Sequence, residues 1–112
     1  MANATIPVTI SAEANELAAN LGLQTQLDQM IDRAMQTFPN LLGVETVRVD
    51  LPDEPELPRI VIRLLRAGRP DFDNDYVIHH RQWCEWTWEQ FPPPVYATIG
   101  LRIVYPEARR AR

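Results

Sequence analysis

The sequence predicts an α+β domain, a two-layer α/β sandwich with helices on one face of a mainly antiparallel three-stranded sheet. Three observations lead there. Apolar residues recur at the helical period in three stretches and alternate at the strand period in three others. Prolines and glycines fall between these stretches, where the chain must turn. The resulting order is α-α-β-β-α-β, within one domain spanning residues 1–112.

Residues 1–10 form an N-terminal arm. Ile6, Val8 and Ile10 alternate as in a strand, but Pro7 lacks an N–H, which confines such a strand to an edge or leaves it outside the sheet. Ser11 is placed to cap a helix with Ala14, Leu17, Ala18 and Leu21 on one face, and Gly22 ends it. Thr25, with Asp28 in the capping-box position, opens a second helix. Leu27, Met30, Ile31, Ala34 and Phe38 form its apolar stripe, and Pro39 stops it.

Val44–Asp50 and Arg59–Arg66 read as two strands joined by the proline-rich, acidic loop Leu51–Pro58. Asp71, Asp73 and Asp75 suit the positive end of a third helix that runs to Gln90 and is broken by Pro92–Pro94. The spacing of these acids fails as a calcium loop: Tyr76 stands where glycine is needed, and Gln82 where glutamate is. Val95–Tyr105 alternates as a final long strand, and residues 107–112 are a frayed basic tail.

Absences narrow the chemistry. The chain has no lysine, a single serine (Ser11), and four scattered glycines, so it offers no Schiff-base amine and no glycine-rich phosphate cradle. One cysteine, Cys84, and the adjacent His79 and His80 cannot complete a Cys/His zinc site. No metal and no cofactor is expected. The lone cysteine and the lack of a long apolar run or leader pattern point to a cytoplasmic protein with no membrane segment.

Eight arginines face fifteen acids up to residue 108, a net −7 that argues against nucleic acid as partner. His80 and Cys84 stand at i and i+4 on the third helix and could touch. They fall on the face expected to be buried, where a cysteine is a core residue, so a small enzyme or ligand-binding domain using this pair is the alternative.

The expected function is therefore non-catalytic protein–protein contact, with a partner or by self-association into a homo-oligomer. Ile78 and Trp86 fall on the polar side of the third helix, where a solvated surface would avoid them. The sheet face away from the helices is expected to present Val61, Leu65, Tyr96 and Val104 among Arg48, Arg63 and Arg102, a mixture that interfaces favour. Such a face could also stack RNA bases, although Tyr96 is the one aromatic there. Asp53, Glu54 and Glu56 are candidate charge contacts that speed encounter with a basic partner.

Ser11–Ala12–Glu13–Ala14, Leu21–Gly22–Leu23, Phe38–Pro39, Asp53–Glu54–Pro55, and Trp83 followed by Pro92–Val95 together resemble a loose group of small bacterial proteins. Members of that group are often encoded beside a HEPN-type partner, a class that includes RNase toxins. The resemblance spans most of the chain and implies an antitoxin-like or adaptor role, with no residue assigned to catalysis.

Overall fold

The computed structural model describes residues 6–68 and 75–106. The elements follow the order β1 (Val8–Ile10), α1 (Ala12–Leu21), α2 (Gln24–Thr37), β2 (Leu41–Leu51), β3 (Glu54–Arg66), α3 (Asp75–Gln90), α4 (Pro93–Thr98) and β4 (Ile99–Val104). The strands form one sheet in the order β1-β2-β3-β4. β1 runs parallel to β2, β2 antiparallel to β3, and β3 parallel to β4.

The α+β reading holds, whereas the expectation of three mainly antiparallel strands is corrected to a mixed sheet of four. Val8–Ile10 joins the sheet as an edge strand. Pro7 stands just before it and contributes its carbonyl, which accepts from the Val44 N–H at 2.9 Å, so the missing donor is not needed. At the other edge, α3 and α4 carry the chain back before β4, and a helical crossover between neighbouring strands makes them parallel.

Each boundary follows from local chemistry. Ser11 caps α1, its hydroxyl accepting from the Ala14 N–H at 3.1 Å. Gly22 closes the helix in the left-handed region at φ 69°. The next N–H, that of Leu23, donates to the Ala18 carbonyl at 2.8 Å, and α2 starts immediately after it. The turn that ends α1 thus sets the start of α2, and Thr25 is not its cap.

The loop expected at Leu51–Pro58 shrinks to the turn Pro52–Asp53, with β3 resuming at Glu54. Pro55 and Pro58 fall where the β2–β3 register is irregular and before β4 begins pairing at Ile60, so few ladder hydrogen bonds are lost. Residues 95–98, expected as strand, form the end of α4. Pro93 and Pro94 occupy its first turn, where a missing N–H costs nothing, and the Thr98 hydroxyl donates to the Pro94 carbonyl at 2.8 Å.

The core lies between the helices and one face of the sheet. Ile60, Ile62 and Leu64 of β3 are fully buried there beneath Leu27, Met30 and Ala34 of α2 and Trp83 of α3. Trp83 is 3% exposed and donates its indole N–H to the Met30 carbonyl at 3.0 Å, which ties α3 to α2. That bond satisfies the one polar atom of the largest core side chain.

Candidate functional site

Register assigns each sheet residue to a face. Thr46, Ile62 and Leu101 stand in one row on the helix side, and Glu45, Arg63 and Arg102 in the next row on the open side. Arg48 pairs with Ile60 and so belongs to the helix side, not with Arg63 and Arg102 as the sequence reading had it. It lies beyond the core, bound to Asp50 at 3.0 Å. Tyr96 is on α4 rather than in a strand, and Val104 is buried at 7% exposure.

The open face therefore carries Val47, Val61 and Leu65 around Arg63 and Arg102, with Arg63 and Glu45 3.4 Å apart. A half-exposed pair of this kind contributes little to stability. The two arginines are neighbours in register, and Tyr96, from α4, lines a shallow pocket with Val61, Gly100 and Arg102.

α3 separates its three tryptophans. Trp83 is in the core, and Trp86 is half-buried, edge-on to Phe91 and beneath the Arg33 guanidinium, 5.2 Å from its ring centre. This corrects the reading of Trp86 as a misplaced surface group: it bridges α3 to α2, and its ring binds a cation there. Trp88 is the exposed one, at 58%, together with Val77 and Ile78. Asp53 and Glu56 are exposed as expected, while the side chain of Glu54 lies outside the described residues, as do Asp71 and Asp73 and residues 107–112.

Between α3 and β4 runs an open groove of about 1040 Å³. Val77, Cys84 and Trp88 line it from the helix, and Leu101 and Ile103 from the strand, with Arg81 and Glu85 also lining it from α3. Two causes create it. β4 is the last strand of the sheet, so the helix-side faces of Leu101 and Ile103 are only partly covered. α3 turns Trp83 and Thr87 inward, which leaves the adjoining stripe Val77–Arg81–Cys84–Trp88 toward the edge. That stripe has helical spacing in the sequence and was the available signal for the groove, but the sequence reading assigned Cys84 to the core and passed over Trp88.

The expected His80–Cys84 contact is present, with Sγ and Nδ1 3.7 Å apart. Both residues are half-buried at the groove rather than enclosed in the core. Burial, and after it the Glu85 carboxylate, push the Cys84 thiol above its ordinary range. A nucleophilic cysteine is favoured by the opposite shift. Among the described residues no three His, Cys, Asp or Glu side chains gather as a metal site, and no helix is long and apolar enough to cross a membrane.

No protein family, curated protein or solved structure matches this chain.

Proposed function

We propose that the chain is a protein–protein interaction domain that acts by contact rather than catalysis, and that the α3–β4 groove is its contact surface. The observation that carries this reading is the exposed Trp88 set beside a half-covered apolar strand at a sheet edge. Large aromatics in a shallow apolar groove are what binding hot spots consist of. An adaptor or antitoxin-like subunit of the cytoplasm is the specific form proposed. Where the partner is a different protein, the acidic body and the exposed Asp53 and Glu56 would favour a basic one at the encounter stage.

The test compares the wild-type chain with Trp88→Ala in binding measurements, after capture from nuclease-treated lysate or by self-association. Loss of binding with an unchanged thermal midpoint is expected. Binding that survives both Trp88→Ala and Leu101→Ala removes the groove from the reading.

A second reading, a small apolar ligand held near His80 and Cys84, is favoured by the 3.7 Å contact lying in the same groove. It predicts ligand-dependent protection of Cys84 from alkylation. RNA binding is the weaker reading, because Arg48 stands on the other sheet face from Arg63 and Arg102 and the chain is acidic.

A further inference from the structure

We infer that the groove's occupant is a second copy of this chain, with the two β4 strands pairing antiparallel about a two-fold axis to give an eight-stranded sheet. The inference rests on the reading of the groove as a contact surface and names its partner. The sheet edge supplies the first argument. β4 is six residues long without proline, and among the described residues no strand pairs with its outer side. An uncovered edge of this kind is a template for another strand. The opposite edge is guarded by contrast, since β1 has only three residues and Pro7 precedes it.

The second argument is self-complementarity, which an isologous interface demands because each surface meets its own image. An axis perpendicular to the sheet pairs residues of the same face. Centred on Arg102, it would set two guanidinium groups directly opposite each other, an unfavourable arrangement. Centred on Leu101, it sets Leu101 against its own image, Ile99 against Ile103, and Arg102 over Gly100. Space is available there, since a Cβ at Gly100 would meet nothing within 4 Å.

The helices agree with this axis. α3 and α4 return the chain between two parallel strands, so α3 descends against the direction of β4, with Val77 to Trp88 lining the groove across from Leu101, Ile103 and Tyr105. Two copies of α3 would therefore approach antiparallel. Arg81 and Glu85 stand one turn apart, both exposed and both lining the groove. About a two-fold, Arg81 of each copy meets Glu85 of the other, giving two ion pairs. A short apolar peptide would satisfy the groove wall but would leave this charge pattern unmatched.

Sedimentation equilibrium on the full chain tests the inference. Wild type should show twice the chain mass, weakening as salt rises. Arg81→Glu and Glu85→Arg should each weaken the dimer about tenfold or more, and the double exchange should restore it. Gly100→Arg should weaken the dimer by opposing Arg102, while Gly100→Glu should tighten it, with thermal midpoints of dilute protein unchanged. A wild-type chain that stays monomeric up to about 0.1 mM overturns the second copy as occupant, because association that weak is worth little more than 5 kcal/mol. Equal responses to Gly100→Arg and Gly100→Glu overturn the pairing. If the chain is monomeric yet a captured protein is lost on Trp88→Ala, the contact-surface reading stands without the dimer; if association survives both Trp88→Ala and Leu101→Ala, both fail.

Discussion

Trp86 and Trp88 are two residues apart on α3 and should respond to truncation in opposite ways. Trp86 holds Phe91 and Arg33, so Trp86→Ala should cost stability, about 1–3 kcal/mol, visible as a lowered midpoint in urea. Trp88 is largely solvated, and Trp88→Ala should leave that midpoint within about 0.5 kcal/mol of wild type. Helical spacing alone placed Trp86 on the polar side of α3. It could not show that Arg33, fifty-three residues earlier, covers that ring, because the contact depends on how α2 lies against α3. Cys84 titrates in a direction that can be checked. Its thiol ionises later in the fold than in the unfolded chain, so the native state keeps the proton longer and the contribution of Cys84 to stability is constant below pH about 8.5. It then falls as pH rises through the folded value. The stability gap between wild type and Cys84→Ala should shift against wild type at high pH, and alkylation at neutral pH should be slow.

At the scale of elements, the cap and stop of α1 and the stop of α2 were legible, whereas the start of α2 and the strand neighbours were not. Ser11, Gly22 and Pro39 act through their own backbone and a few following atoms, so their roles are written locally. Ser11→Ala should cost about 1 kcal/mol in thermal or denaturant unfolding. Alternation, by contrast, states which residues share a face and is silent on which strand lies beside them or in which direction. That is why Arg48 was grouped with the wrong arginines and β4 with the wrong direction. The β1–β2 contact offers a separate test. A Cβ at Gly43 would come within 3.3 Å of the Pro7 carbonyl, whose bond to the Val44 N–H holds β1 in place. Gly43→Ala should push β1 outward, and the Val44 amide should exchange faster with deuterium while amides of β3 keep their protection.

At the scale of the whole chain, the fold is two strand–helix–helix–strand halves joined by the β2–β3 hairpin. Each half closes a parallel pair, and the hairpin turns the second half against the first. The elements α1, α2, α3, β2 and the body of β3 were visible as periodic segments, and the layering followed from their apolar faces. The groove was not, because it exists only where one helix overhangs the last strand of a sheet whose order the sequence does not state.

The same joint has a kinetic consequence. β2 and β3 are linked by two residues, so their ladder closes a small loop and can form early, whereas β1 and β4 each wait for a helical crossover to bring them home. In stopped-flow experiments, Ile62→Val in the hairpin should slow refolding. Ile10→Val at the β1 edge should act almost wholly by speeding unfolding, since its contacts belong to the last part of the molecule to assemble.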